Sequence, residues 1–204
     1  MRKTDVTINT LESRDLIELK LSNAGFERTG YFVCEDIYFT NIPNKLVKAT
    51  KYNDLINTSV IVRSIYEDVV GIQKAYLVHK HKYFNKFNQV LSEEVSTTKI
   101  SSATEMLYIL RTANFTNWIS FQQQKYFYKK GEIVLSLSFV EGLDGAFINM
   151  KEVPTIKDLP KPKKFKFLCQ LVDTLGITHT PDYSCKKSYM LYEQMRKHKG
   201  TFKG

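Results

Sequence analysis

The sequence predicts an α+β fold in which about eight antiparallel strands form a closed or nearly closed barrel, a tunnel, with flanking helices. Three observations predict this class. Several segments are rich in β-branched and aromatic residues, as strands are. Glycine-marked turns join consecutive strand segments directly, and segments with helical spacing stand before, between and after the strands. With 204 residues, 43% of them hydrophobic, the chain can form one sizeable core.

The first strand is expected at residues 5–10, DVTINT, where polar and apolar residues alternate. A helix is expected next, because Thr10 can cap its N-terminus. The leucines of this segment recur at roughly helical spacing: Leu11, Leu16 and Leu19. Asparagine, alanine and glycine at positions 23–25 would end the helix.

This helix contains the stretch IELK, residues 17–20, which raises the question of a catalytic strand. On a strand, Glu18 and Lys20 would share one face and could reach a polar site together. In a helix, residues two apart do not share a face. Because the helical pattern is the stronger one, we expect Glu18 to lie on a helix flank beside the first strand.

The remaining elements follow in chain order. Residues 102–115 are expected to form a helix with a serine cap and an apolar face made by Met106, Leu107, Leu110 and Ala113. Two more helices are expected near 164–175 and 186–198, after a connection rich in proline and lysine at 154–164. Strands are expected at 27–40, 58–67, 72–84 and 89–97, and within 118–152 as a hairpin turning at 129–131, a second turn at 142–145 and a last strand. We expect one domain over 1–204, with the barrel in 5–152 and the closing helices in 153–204.

The net charge predicts the chemical class of the binding partners, and the cysteines predict the cellular compartment. The net charge of +9 favours anionic partners, such as nucleotides, polyphosphate, nucleic acid or an acidic membrane. The three cysteines, Cys34, Cys169 and Cys185, form no even framework, which indicates free thiols in a reducing, cytoplasmic compartment. No stretch is apolar enough to span a bilayer, so we expect no membrane partner.

Several strands carry polar residues at alternate positions. One such face contains Tyr76, Val78, Lys80 and Lys82. Further shared faces contain Gln123 with Lys125, Ser136 with Ser138, and Asn149 with Lys151. These could be the solvated faces of an ordinary sheet, or they could line a polar, cationic lumen that holds an anion.

The order of these landmarks resembles the CYTH, or triphosphate tunnel, superfamily, which includes class IV adenylate cyclases and thiamine-triphosphatase-like enzymes. The segment AGFERTGYFVCEDIYFTN resembles the family's step into its second strand and ends in a D-x-Y-F element at residues 36–39. SVIVRS resembles the L-R-I-R strand, KAYLVHKHK the strand after it, and SEEV the acidic strand that follows. QQQKYFYKKGEIVLSLSFVEGLDGAF resembles the K-x-R-x-x-Y hairpin, with Lys125 at the arginine position and Tyr128 as the tyrosine. LGITHTPDYSCKKSYMLYEQM resembles the closing helices.

The resemblance implies a triphosphate bound inside an eight-stranded tunnel, with basic residues on the phosphates and carboxylates on Mg²⁺ or Mn²⁺. The basic half is partly present in Arg63, Lys80 and Lys125, and the candidate phosphate ligands also include Lys82 and Lys151. The remaining candidate metal ligands are Asp5, Glu93 and Glu94, although the register of strand 89–97 leaves open which of the two glutamates points inward. The metal is expected only if the protein is catalytically active.

At the other implied positions, family acids are replaced by Thr7, Ser138 and Asn149, and family lysines are replaced by Asn9 and Gln123. Lys151 places a positive charge where the family has a glutamate. Two unit charges about 4 Å apart interact by roughly 4 kcal/mol at a surface-like dielectric, so Lys151 should oppose a divalent cation. The bases are retained and the acids are lost. This asymmetry predicts a protein that binds a triphosphate, nucleotide or inorganic polyphosphate with weak or lost metal-dependent catalysis.

Other functions remain open at this stage. An active Mg²⁺- or Mn²⁺-dependent triphosphate hydrolase or class IV adenylate cyclase is the first alternative. The basic-aromatic runs at 79–87, 161–167 and 195–204 would suit nucleic acid, and a scaffold that keeps only the fold is a third class. His79 and His81 share a strand face, but without a third ligand nearby in sequence they do not indicate zinc.

Overall fold

The computed structural model describes residues 2–3, 7–67, 72–85, 90–150, 159–180 and 187–197. Its strands are β1 (Arg2–Lys3), β2 (Thr7–Thr10), β3 (Glu27–Thr40), β4 (Ser59–Glu67), β5 (Ile72–Phe84), β6 (Val90–Ile100), β7 (Thr116–Lys130), β8 (Ile133–Val140) and β9 (Ala146–Met150). Its helices are α1 (Arg14–Asn23), α2 (Asn44–Val47), α3 (Tyr52–Asn57), α4 (Ala103–Thr112), α5 (Lys161–Thr174) and α6 (Lys187–Lys197). The predicted class, an antiparallel α+β sheet with flanking helices, is confirmed.

The strands form one strongly curled sheet in the order β1-β6-β5-β4-β3-β7-β8-β9-β2, and each described pairing is antiparallel. Its two edges come close together. Lys3 pairs with β6 at one edge, and Thr7 pairs with β9 at the other. Four peptide units span at most about 14 Å, so the edge strands lie within that distance of each other. The sheet is therefore strongly curled, and this shape fits a tunnel.

The two faces of the rolled sheet bury different side chains. The face that we call concave carries Ile61 and Val78 from β4 and β5, and Phe147 from β9, in one cluster. Strands this far apart in the sheet can share a cluster because the sheet curls around it. The opposite, convex face is covered by α1 and α5 over β7 and β8, and by α4 over β4 and β5.

Helix α1 forms where it was expected, with a different cap. Ser13 caps it, since its hydroxyl accepts a hydrogen bond from the backbone N–H of Leu16, whereas Thr10 accepts one from Glu12 before the helix begins. The buried residues are Ile17 and Leu21. The leucines whose spacing indicated the helix, Leu11, Leu16 and Leu19, are 75%, 42% and 57% exposed.

Helices α2 and α3 have no counterpart among the expected elements. They have four and six residues, too few for a helical period to show, and neither N-cap residue, Pro43 or Lys51, makes a side-chain capping bond. Their apolar residues pack with Tyr192 of α6 in the concave cluster. These three helices together cover part of the concave face. Helix α4 agrees better with expectation, with Ser102 as its cap and Leu110 buried.

The turn before β9 depends on Gly145. Its φ is +75°, and a Cβ there would lie 1.9 Å from the carbonyl oxygen of Thr10. We expect Gly145→Ala to lower the free energy of unfolding by at least about 3 kcal/mol, through backbone strain and this clash. Gly131→Ala is the matched control, because Gly131 also has a positive φ but has nothing within 4 Å. It should cost only about 1–2 kcal/mol. Urea denaturation of both variants checks this, and equal losses would contradict it.

The cysteines and the question of membrane-spanning helices can be compared with the described part of the chain. Cys34 and Cys169 are free thiols there, and Cys185 lies outside it. No helix in the described ranges has the length and apolar character needed to cross a bilayer.

Candidate anion-binding site

Basic side chains from four elements converge on the concave face beside the apolar cluster. They are Arg63 on β4, Lys80 and Lys82 on β5, Lys125 on β7 and Lys187 at the start of α6. Each of them interacts electrostatically with another member of the group or with a carboxylate beside it. We call this set the cation cluster. Two carboxylates accompany it among the described residues, Asp36 and Glu93.

Asp36 and Arg63 form the most tightly bonded pair in the site. They lie directly opposite each other on β3 and β4, and Asp36 is 1% exposed. The guanidinium donates from Nε to Oδ1 at 2.6 Å and from Nη2 to Oδ2 at 2.7 Å, a bidentate geometry. Burial alone would raise the pKa of Asp36, but the Arg63 charge outweighs burial and holds that pKa below its usual value. Arg63 is therefore already largely neutralised by its partner.

The lysines of the cluster are much less compensated. Burial lowers the pKa of Lys80 to about 8, with the positive charge of Arg63 acting in the same direction. The same two causes lower the pKa of Lys125. For Lys187, burial and the charge of Lys125 place the pKa well below its usual value. Within the described ranges, the side chains of Lys80 and Lys125 form no hydrogen bond or ion pair, although the Lys125 ammonium lies 5.8 Å from the centroid of the Phe32 ring.

The register of β5 and β6 decides which glutamate faces the cluster. Glu93 lies opposite Lys82, and the carboxylate and ammonium are 3.9 Å apart. Glu94 lies opposite His81 on the other face, where its carboxylate accepts a hydrogen bond from the hydroxyl of Tyr83 at 3.1 Å. The structure therefore brings Glu93 to the cation cluster and leaves Glu94 outside it.

The described positions at which family acids or lysines are replaced hold neutral polar side chains. Asn9 donates to the carbonyl of Ala146, and Asn149 donates to the hydroxyl of Thr7, both at 3.2 Å. Ser138, 1% exposed, lies across from Lys125. In the described residues, no three His, Cys, Asp or Glu side chains are grouped so that they could hold a metal ion. His79 and His81 therefore belong to no such group. Divalent Mg²⁺ and Mn²⁺ need several oxygen ligands, mostly carboxylates, so the donors described here do not suit them. Asp5 and Lys151 lie outside the described residues.

Two members of the site have no counterpart in the sequence predictions. Asp36 was placed in a motif but not in the site, and Lys187 was only part of a closing helix. Lys187 donates a hydrogen bond from Nζ to Oε1 of Gln123 at 2.8 Å, although the two residues are 64 positions apart. No local pattern signals that contact. The nearest hint is the lysine pair at 186–187, immediately ahead of the final helical pattern.

Glu18 and Tyr128 lie away from the cluster, on the convex face. The Tyr128 hydroxyl donates to Oε1 of Glu18 at 2.6 Å, and Arg14 forms an ion pair with the same oxygen at 3.0 Å. The Arg14 guanidinium also stacks over the Tyr126 ring, 4.1 Å from its centroid. These contacts fasten α1 to β7. The prediction that Glu18 sits on a helix flank is confirmed.

Comparison of the structure with solved structures identifies the fold. The chain matches PH1819 from Pyrococcus horikoshii OT3 at 17% identity and a TM-score of 0.67, over 93% of this chain and 99% of that one. It matches HpAC1 from Hippeastrum, an adenylyl cyclase candidate with a dominant triphosphatase activity, at 15% identity and a TM-score of 0.58, over 94% and 96% of the two chains. An adenylate cyclase candidate from Vibrio parahaemolyticus matches at 12% identity and a TM-score of 0.58, over 95% and 97%. The chain has the fold of these solved structures, which agrees with the fold that the resemblance to the CYTH, or triphosphate tunnel, superfamily implies. Scans of the sequence against family models and against curated proteins find no match.

The concave face has two chemically different parts. Where α2, α3 and α6 cover it, it is filled by an aromatic group: Tyr38, Tyr52, Trp118, Phe121, Phe147 and Tyr192. The Trp118 indole donates to the hydroxyl of Ser59 at 2.8 Å, so its polar atom is satisfied inside this packing. The cation cluster lies beside this group, where the Lys187 ammonium is 5.3 Å from the centroid of the Phe147 ring. A filled aromatic part and a charged part therefore coexist on the concave face.

In the described parts of the basic-aromatic runs, Phe84, Phe165 and Phe167 pack inward rather than forming a stacking surface. In the first run, Lys80 and Lys82 belong to the cation cluster, and Phe84 packs against the aromatic group of the concave face. In the second run, Phe165 and Phe167 pack against the core beneath α5. Stacking on bases needs exposed rings. The described parts of these runs therefore support nucleic-acid binding less than the sequence alone suggested.

Proposed function

We propose that the cation cluster binds a triphosphate or another polyanion inside the tunnel, with weak or lost metal-dependent catalysis. One observation carries the proposal. Lys80, Lys125 and Lys187 bring three ammonium groups into a largely buried chamber, where the only described carboxylates are Asp36, already bonded to Arg63, and Glu93, beside Lys82. Buried charges are expensive unless they are paired. A multiply charged anion would supply the missing partners.

The chemistry of the ligands fits phosphate oxygens. Ammonium and guanidinium groups form charge-assisted hydrogen bonds with phosphates that are about twice as strong as neutral ones. Ligands from four different elements surround one chamber, so an extended chain of phosphates could contact several at once. The likeness to HpAC1, described as having triphosphatase activity, supports a triphosphate as the class of ligand. A nucleotide and inorganic polyphosphate share that chemistry.

The expected weakness of catalysis follows from the donor set. The described positions Thr7, Ser138 and Asn149 offer hydroxyl and amide groups instead of carboxylates. Such groups do not compensate the charge of a divalent cation. We therefore expect anion binding that needs no Mg²⁺.

An active Mg²⁺- or Mn²⁺-dependent hydrolase is the second candidate, favoured by Glu93 beside the cluster and by the likeness to HpAC1. Phosphate release from tripolyphosphate and ATP, measured across a range of Mg²⁺ and Mn²⁺ concentrations, separates the candidates. Release that depends on the metal and disappears in Glu93→Gln would favour the hydrolase. A pure scaffold is less well supported, because uncompensated lysines would only destabilise its interior.

Calorimetric titration with tripolyphosphate and ATP, with and without Mg²⁺, tests the binding directly. We expect Lys125→Met to weaken tripolyphosphate binding at least about tenfold, since a hydrogen bond to a charged group contributes about 1.5–3 kcal/mol. Lys129→Met is the matched control, because it removes the same charge from an exposed position on the same strand. No heat of binding in either metal condition would overturn the proposed function. Equal losses in both variants would indicate nonspecific charge attraction.

The pH dependence of binding provides an independent check. Below about pH 8, Lys80 is protonated in the free protein and available to the anion. Above that pH, binding must first protonate it, so affinity should fall by up to tenfold per pH unit. Lys80→Arg keeps its charge and should lack this component. The ratio of the wild-type and Lys80→Arg affinities, between pH 7 and 9.5, removes the ligand's own ionisation. A ratio that stays constant would contradict the role of Lys80.

A further inference from the structure

Lys187 is the first residue of α6, and its side chain reaches across to the concave face of β7. Its Nζ donates to Oε1 of Gln123 at 2.8 Å, and it lies 5.3 Å from the centroid of the Phe147 ring. Gln123 is 4% exposed, on a strand position between Cys34 of β3 and Val140 of β8. A side chain from the C-terminal helix is therefore held inside the tunnel by a buried amide.

The amide positions the ammonium but does not neutralise it. An ammonium has three donors, and Gln123 occupies one of them. In the described ranges no carboxylate is bonded to Lys187. The charged residues that act on its ammonium electrostatically are Lys125, Asp36 and Lys80. The bidentate contact with Arg63 already occupies both oxygens of Asp36. Lys187 therefore has donors left for a partner that the described residues do not supply.

The same contact gives a different meaning to the glutamine at position 123. The resemblance to the tunnel family implies a lysine there, and Gln123 was counted as a lost cation. The structure places another ammonium 2.8 Å from its amide oxygen. The positive charge is present at that point of the chamber, although it comes from α6 rather than from β7.

We propose that Lys187 is a ligand of the bound polyanion, so that α6 forms one wall of the anion site. This inference rests on the proposed function, and it goes further by assigning a binding role to a helix that would otherwise only cover the tunnel. Ligands on β4, β5 and β7 then hold the anion from the sheet, and Lys187 holds it from the helix. Anion binding consequently ties α6 to the sheet.

Helix α6 has anchors that do not depend on Lys187. Ser188 and Tyr52 share a hydrogen bond of 2.8 Å, and the Tyr192 hydroxyl donates to the carbonyl of Thr50 at 2.6 Å. Tyr192 is also 1% exposed. These contacts should keep α6 in place when Lys187 is substituted, so a loss of binding in such a variant would report the lost ligand rather than an undocked helix.

The experiment exchanges the two side chains. We expect Lys187→Gln to weaken tripolyphosphate binding at least tenfold by calorimetry, because one charged ligand is lost. The double variant Gln123→Lys/Lys187→Gln returns an ammonium to the same point from the strand, and should bind within about threefold of wild type. Lys197→Gln is the control, since it removes the same charge from the exposed last turn of the same helix. It should bind like wild type.

Hydrogen exchange provides a second readout. Tripolyphosphate should slow amide exchange in α6 of the wild type, and this protection should be lost in Lys187→Gln and in the exchanged double variant, where the charge no longer comes from the helix. Wild-type affinity in Lys187→Gln, with α6 protection retained, overturns the inference and leaves the proposed function intact. Absence of binding to the wild type overturns both. Equal weakening in Lys197→Gln would show that only the overall charge matters.

Discussion

Replacing Arg63 with methionine should lower the free energy of unfolding by about 3–5 kcal/mol, the usual cost of breaking a buried ion pair from one side. Asp36 is 1% exposed, and both of its oxygens accept from Arg63. Without the guanidinium, the carboxylate would have to be protonated or remain charged in a largely apolar place. Methionine preserves much of the side-chain volume, so the loss should come mainly from the orphaned charge.

The double variant Asp36→Asn/Arg63→Met is the control for this prediction. It removes the carboxylate together with its partner, and it should recover most of the stability lost in Arg63→Met. Urea denaturation of wild type, the two single variants and the double variant forms a complete cycle. If the double variant were as unstable as Arg63→Met, lost packing would explain the effect and the ion pair would not.

Much of the fold could be predicted because its signals are local. Long strands such as β3 and β7 carry β-branched and aromatic residues continuously, and the glycines at 131 and 145 mark turns with positive φ. The buried face of α1 was missed because it depends on what packs beneath the helix. Ile17 and Leu21 pack in the core beside Tyr126 and Tyr128, and those contacts are set by the curled sheet rather than by leucine spacing.

The candidate site was predictable only in part, for a similar reason. Arg63, Lys80 and Lys125 alternate with apolar residues along strands, so their shared direction follows from the strand period. Their convergence requires the sheet to curl, which the resemblance implied but residue spacing did not. Lys187 could not be assigned, because its position depends on how α6 docks on a sheet that ends 37 residues earlier, at Met150.

The tunnel also shows why its binding residues should reduce the stability of the unliganded protein. Burial and mutual repulsion lower the pKa values of Lys80 and Lys125, which means that their charged forms are disfavoured in the folded state. A bound polyanion reverses this balance, because it supplies the opposite charge where the repulsion is greatest. Stability and anion affinity should therefore respond in opposite directions to the removal of these charges.

The double variant Lys80→Met/Lys125→Met tests that opposition. Methionine keeps the apolar stem of lysine and removes the ammonium, so we expect the unliganded protein to gain about 1–3 kcal/mol of unfolding free energy at pH 7. Tripolyphosphate affinity should fall by about 10²–10⁴-fold, since two charged ligands are lost. Denaturation without ligand and calorimetry with tripolyphosphate measure the two effects on the same samples.

The pH dependence of this gain has a definite sign. The folded-state pKa of Lys80, about 8, lies below its ordinary value of 10.5. The charged form of Lys80 therefore destabilises the folded protein fully below pH 8. This destabilisation is relieved as the pH rises from about 8 towards 10.5, because unfolding takes up protons in that range. The stability advantage of the double variant should shrink across this interval. A variant that is both less stable and unable to bind would instead show that the two lysines support the fold, and an unchanged affinity would show that the anion binds elsewhere.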